Sequence, residues 1–144
     1  MKSDYLKYWR VIRYYAKSKY GLSQADLDIL LFLYSESYFS RDRFDEFDKL
    51  LSWNETRFDK LLKDGWVITF RERKGNRRAL YELSFKCKRM IDSIYKKLNG
   101  DEIPESNNPE NPIFAKNVKY SDRIYRDMIM SMNKDIREAK REAS

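Results

Sequence analysis

The stretch SWNETRFDKLLKDGWVITFRERKGNRRALYEL, residues 52–83, switches period halfway along. Ser52 followed by Glu55 is a capping-box start. Phe58, Leu61 and Leu62 then repeat at helical spacing, which predicts a helix ending at Asp64. Gly65 stands where a helix C-cap glycine belongs. Beyond it Trp66, Ile68 and Phe70 alternate with Val67, Thr69 and Arg71, the period of a strand. A second run, Arg78 to Leu83, places Ala79, Tyr81 and Leu83 on one face. Gly75-Asn76, set between Lys74 and Arg77, is a two-residue hairpin turn signal. The expectation is a helix, a tight break and a hairpin with a basic tip.

Upstream, three more helices are expected. Residues 4–20 form an amphipathic helix with Tyr5, Trp9, Ile12 and Ala16 in a stripe that Tyr8 and Tyr15 widen. Lys7, Arg10, Arg13 and Lys17 lie opposite, on a solvated basic face. Gly21 ends this helix. Ser23 to Glu36 begins with Ser23 and Asp26 as an acidic variant of the capping box. Leu27, Leu30, Leu31 and Tyr34 form its core face, and Ile29, Phe32 and Leu33 make it apolar most of the way round, as a central helix is. Ser40 caps a short third helix to Leu50 or Leu51, with Phe44, Phe47, Leu50 and Leu51 inward. Its acids, Asp42, Asp45, Glu46 and Asp48, are interleaved with Arg41, Arg43 and Lys49, so they read as a solvated face rather than a metal site.

Downstream, Ser84 to Leu98 is a basic fifth helix with Phe85, Cys87, Met90, Ile91, Ile94, Tyr95 and Leu98 at apolar spacing. Cys87 is a small buried hydrophobe there. Residues 99–118 hold all three prolines, five asparagines and four acids, which makes them a connector. Ile103, Ile113 and Phe114 are its candidate anchors, and a partner chain is one way to hold it in place. Tyr120 to about Lys140 is a last helix with Ile124, Tyr125, Met128, Ile129, Met132 and Ile136 on one stripe. Behind a long connector, that stripe folds back on the first helix or docks on another chain. The division by sequence is residues 1–98, a proline- and asparagine-rich linker over 99–119, and a dimerisation or docking helix over 120–144.

Composition narrows the chemistry. The 144 residues carry 30 Lys+Arg against 23 Asp+Glu, a formal charge of +7, which favours an anionic partner. The chain has no histidine and one cysteine, so Ser-His and Cys-His pairs, zinc sites and intrachain disulfides are excluded. Four scattered glycines supply no phosphate-cradling loop. No catalytic residue, metal or cofactor is expected, and the chain does not read as an enzyme. No apolar run is long enough to span a bilayer. A cytoplasmic protein of a bacterial or phage-infected cell is the expectation.

Helix, helix, helix, helix, two-stranded hairpin and helix is the order of a winged helix-turn-helix, mainly α with a small β wing and long terminal helices. At this point the chain resembles the MarR family of winged-helix regulators. Gly21-Leu22-Ser23 with Leu27 to Leu33 is similar to that family's lead into its second helix. Leu61-Leu62-Lys63-Asp64-Gly65-Trp66-Val67 resembles its helix-to-wing junction, and Asn76-Arg77-Arg78-Ala79-Leu80-Tyr81-Glu82-Leu83-Ser84 its wing and exit. The likeness covers roughly residues 4–98. Asn76 stands where the family pattern has an aspartate that orients the wing arginine, and Arg77 matches that arginine.

The resemblance implies a transcriptional regulator that binds double-stranded DNA as a homodimer built on the first and last helices. It implies the Trp53–Asp64 helix in the major groove and the wing tip near the minor groove or backbone. The candidate DNA contacts are Asn54, Thr56, Arg57, Lys60 and Lys63 on the helix, read as exposed, and Arg71, Arg73, Lys74, Arg77 and Arg78 on the wing. The wing segment 71–78 has five positive residues and one negative, whereas the helix acids Glu55, Asp59 and Asp64 cancel its cations. Tyr5, Trp9, Ile12, Ile124, Tyr125, Met128 and Met132 are the candidate dimer or partner residues. The competing reading is a structural module of a larger assembly, such as a phage virion, docking through its basic helices and methionine-bearing last helix.

Overall fold

A computed structural model describes residues 4–51, 57–106, 111–116 and 118–143. Ser52 to Thr56, and with them the predicted capping box and the candidates Asn54 and Thr56, lie outside the described residues. The chain divides into two compact units. One is residues 22–91; the other joins residues 1–21 to residues 92–144.

The first of these holds the helix-turn-helix and the wing. Helix α2, Gln24–Leu33, opens on a full capping box in which the Ser23 hydroxyl accepts from the Asp26 amide and the Asp26 carboxylate accepts from the Ser23 amide. It buries Leu27, Ile29, Leu30 and Leu33, as an almost wholly apolar helix must. Tyr34, placed on the core face by sequence, lies exposed beyond the end of the helix. Helix α3, Arg41–Leu51, buries Phe44 and Asp48, while Leu50 points to solvent at 76% exposure. Phe44 and Asp48 are buried and Phe47 and Leu51 half-buried, a face built on spacings of three and four. That phase turns Leu50 outward and brings Asp48 in, correcting both the inward Leu50 and the uniformly solvated acids of the sequence reading.

Helix α4, described from Arg57 to Lys63, ends in a Schellman motif. The Trp66 amide donates to Leu61 O at 3.0 Å and the Gly65 amide to Leu62 O at 3.2 Å, with Gly65 at φ +80°, a conformation glycine adopts without strain. Strand β1, Val67–Arg71, pairs antiparallel with β2, Leu80–Leu83, and a bulge between Thr69 and Arg71 interrupts the register. The strict alternation from Trp66 to Arg71 does not survive: Trp66 and Val67 are both buried, and Ile68, Thr69 and Phe70 are all exposed. Lys74 and Arg77 exchange backbone hydrogen bonds of 3.0 and 3.1 Å around Gly75-Asn76, with Gly75 at φ +59°, as the turn signal predicts.

Phe39, between α2 and α3, adds a bridge that the sequence did not announce. Its amide and carbonyl exchange hydrogen bonds of 3.0 and 2.8 Å with Tyr81, so the wing sheet has a one-residue third strand. The rings follow the same connections. Phe44 meets Phe58 edge-on at 4.9 Å, Phe58 meets Tyr81 edge-on at 4.9 Å, and Phe39 lies 6.4 Å from Tyr81. One aromatic cluster therefore ties α3, α4 and the wing together.

The other unit contains α1, Tyr5–Tyr20, the end of α5, Phe85–Leu98, and α6, Tyr120–Ala143. Helix α5 begins at Ser84, whose hydroxyl accepts from the Cys87 amide, and leaves Phe85 exposed at its first position, outside the apolar stripe assigned to it. In α1 the buried side chains are Tyr8, Val11, Ile12, Tyr15 and Ala16, so the stripe is centred one residue from the expected line and Tyr5 is exposed. Helix α6 buries Ile129, Met132 and Ile136. Its central stripe thus packs within its own unit rather than waiting for a partner chain. Tyr14 of α1 stacks on Tyr125 of α6 at 3.8 Å, and its hydroxyl donates to Asp122.

The connector is held by the same helix. Asn133, fully buried in α6, accepts from the Ile103 amide at 3.0 Å and donates to Ile103 O at 2.8 Å, as a neighbouring strand would. Arg126 donates to the carbonyls of Ile113 and Ala115, both at 2.9 Å. Ile103 and Ile113 are buried anchors, as the sequence suggested, and Pro112–Phe114 forms a 3₁₀ turn. The chain's own side chains thus hold the described residues around Ile103 and Ile113.

Candidate nucleic-acid interface

Of the helix candidates, Arg57 is not exposed. Its side chain is 7% exposed, with Nη1 donating to Asp26 at 2.6 Å and Nε to Asp48 at 2.8 Å. Both carboxylates are themselves buried. The reason is position: Arg57 precedes Leu61 by one helical turn and shares its inward side. Two buried carboxylates on α2 and α3 face one guanidinium on α4, and the ion pairs make that burial tolerable. Lys60 adds a third contact, donating to the second Asp26 oxygen at 2.9 Å while remaining 52% exposed. Burial works to raise the Asp26 pKa, but hydrogen bonds from Lys60, Arg57 and Ser23 outweigh it and hold the carboxyl below the ordinary range. Arg57 is pushed the opposite way by its carboxylates, upward against the effect of burial.

Lys63 is exposed and forms no ion pair with another described residue. Helix α4 therefore presents Lys60 and Lys63 to solvent and keeps Arg57 as an internal strut. Asp26 and Asp48, unremarked as functional by sequence, set the position of this helix. Both lie on the apolar stripes of their own helices, Asp26 four residues before Leu30 and Asp48 four after Phe44, and that placement is the signal that finds them.

On the wing, Arg73, Lys74, Arg77 and Arg78 are all exposed. Arg71 is half-buried, and its Nη2 donates to the Arg78 carbonyl at 3.0 Å across the hairpin. It braces the wing rather than projecting from it. Arg78 in turn donates to Asp42 of α3 at 2.7 Å. Asp45 pairs with Arg41 and Glu46 with Arg43, so the acids of α3 are largely matched by local cations. No group of residues suited to holding a metal ion occurs among the described residues, and none of their helices is long and apolar enough to cross a membrane.

Of the candidate partner residues, Ile12 and Met132 are buried within their unit. Trp9, Tyr125 and Met128 are half-buried, and Tyr5 and Ile124 are exposed.

A helix-turn-helix followed by a hairpin wing with a one-residue third strand defines a winged helix-turn-helix fold. No family model matches the chain, and no curated protein matches it. Among solved structures the chain is similar to reduced AbfR in a complex with DNA, at 18% identity and a TM-score of 0.45, over 62% of this chain and 70% of that one.

Proposed function

We propose that the 22–91 unit binds double-stranded DNA and that the chain acts as a MarR-like transcription regulator. The observation that carries this reading is the wing tip. Four exposed cations, Arg73, Lys74, Arg77 and Arg78, surround a turn closed by reciprocal backbone bonds. Cations held on a rigid hairpin neutralise phosphates without a large ordering cost, and each contact adds about 0.9 to the salt slope of binding. Lys60 and Lys63 supply the contacts of α4, Arg57 acting only by holding that helix. Asn54 and Thr56 remain candidates for contacts with base edges.

The same reading makes the protein a homodimer through α1 and α6, with Tyr5 and Ile124 at the surface of the contact and Trp9, Tyr125 and Met128 at its edge. Ile12 and Met132 support that face from beneath. The test joins two measurements on the full chain. Sedimentation equilibrium is expected to give twice the monomer mass, and a mixed-sequence duplex is expected to be retained at low salt and released as salt rises. A chain that retains no duplex even at low salt would refute the regulator.

A further inference from the structure

Between the first turn of α3 and the wing lies a cleft of about 430 Å³. Arg41, Asp42, Arg73, Asn76, Arg78 and Tyr81 are among its walls. Among the described residues Asp42 is the one acidic side chain lining it, against three guanidiniums. Arg41 is engaged by Asp45 at 3.1 Å and lies over the Phe58 ring at 4.2 Å, so it is fixed in place. Arg73 forms no ion pair with another described residue. Arg78 holds Asp42 at 2.7 Å, and the two side chains are 73% and 70% exposed.

An ion pair this exposed contributes little to folding. The wing is already joined to α3 and α4 by the Phe39–Tyr81 bridge and the ring cluster, so the pair is not needed as a fastening. What it does is place a carboxylate against an arginine in a cleft otherwise rich in donors. A phosphodiester has the same charge and offers oxygens that arginine engages in a planar, two-bond geometry.

We propose that this cleft is a backbone-phosphate site and that Asp42 is its resident counter-anion, displaced from Arg78 when DNA enters. The proposal rests on the DNA-binding reading and adds to it a residue that weakens binding. Asp42 lowers affinity by occupying Arg78.

The test compares the full chain with its Asp42→Asn, Arg78→Gln and doubly substituted forms, by fluorescence anisotropy on one labelled duplex over a range of potassium chloride. Asp42→Asn is expected to tighten binding about two- to fivefold, the scale of an exposed ion pair, and to steepen the salt slope by up to about 0.9. In the Arg78→Gln background the gain is expected to vanish. If Asp42→Asn binds no more tightly than wild type, or if its gain persists without Arg78, the assignment of Asp42 is wrong while the DNA reading stands. If wild type retains no duplex, both fall. Titration with inorganic phosphate at constant ionic strength separates the sources of the anion. Displacement by phosphate beyond that by chloride, lost in Arg78→Gln, would make this a free-phosphate site and overturn the backbone assignment.

Discussion

Arg57 of α4 reaches Asp26 of α2 at 2.6 Å, and neither side chain is more than 7% exposed. This contact, with Asp48 on the other edge of the guanidinium, fixes the helix that would face DNA. It also turns an apparent DNA contact into a part of the core. Breaking a buried pair by removing one partner leaves an uncompensated charge. Arg57→Ala is therefore expected to lower the unfolding free energy by about 3–5 kcal/mol, read from urea unfolding. A loss below about 1 kcal/mol, the range of exposed pairs, would show that the triad is solvated.

The same carboxylate makes stability depend on acid. A folded pKa below the unfolded value means that the unfolded chain binds the proton more readily. The contribution of Asp26 is then fully present above the ordinary aspartate value of about 3.9 and is lost as pH falls through its lower folded value. Asp26→Asn is expected to be less stable than wild type near neutrality, with the gap closing in that acid range. A gap that is constant with pH would contradict the assignment.

Much of this arrangement was legible locally. The Ser23–Asp26 capping box, the stop at Gly65 and the Gly75-Asn76 turn each depend on a few neighbouring residues, and each forms as read. Charge on an apolar stripe is a signal that local pattern leaves open. Asp26, Asp48, Arg57 and Asn133 all sit at inward helical positions, where their polarity argues for a buried partner rather than for solvent. The partners could not be named, because Arg57 and Asp26 are 31 residues apart and Asn133 and Ile103 are 30 apart. The outward Leu50 follows from the same phase, which the run of Leu50 and Leu51 concealed. On the wing the exposure of Arg73, Lys74, Arg77 and Arg78 was legible from charge density at a turn, while the inward turn of Arg71 was not. On α4 the exposure of Lys60 and Lys63 was legible too, but the burial of Arg57 was not, since it depends on contacts with α2 and α3.

Asn133 offers a test of the connector. It satisfies both backbone groups of Ile103 within a buried site. Asn133→Ala is expected to cost about 2–4 kcal/mol, the penalty for leaving a buried donor and acceptor unmade. It is also expected to speed proteolytic cleavage within residues 101–106. Unchanged cleavage would mean that α6 does not secure this segment.

Cys87 is fully buried, and burial pushes its thiol up to about 12. A thiol so disfavoured as thiolate is a poor nucleophile. Native protein is expected to react with iodoacetamide far more slowly than the urea-unfolded chain at neutral pH. Equal rates would place the thiol in contact with solvent.

On the proposed function, the wing tip grips duplex DNA through its phosphates. The most direct test is the salt dependence of binding for wild type and for the variant carrying Arg73→Gln, Lys74→Gln, Arg77→Gln and Arg78→Gln together. If all four cations contact phosphate, the slope of log K against log salt is expected to flatten by about 3–4, with affinity falling alike on unrelated sequences. An unchanged slope in a variant that still folds would contradict the account.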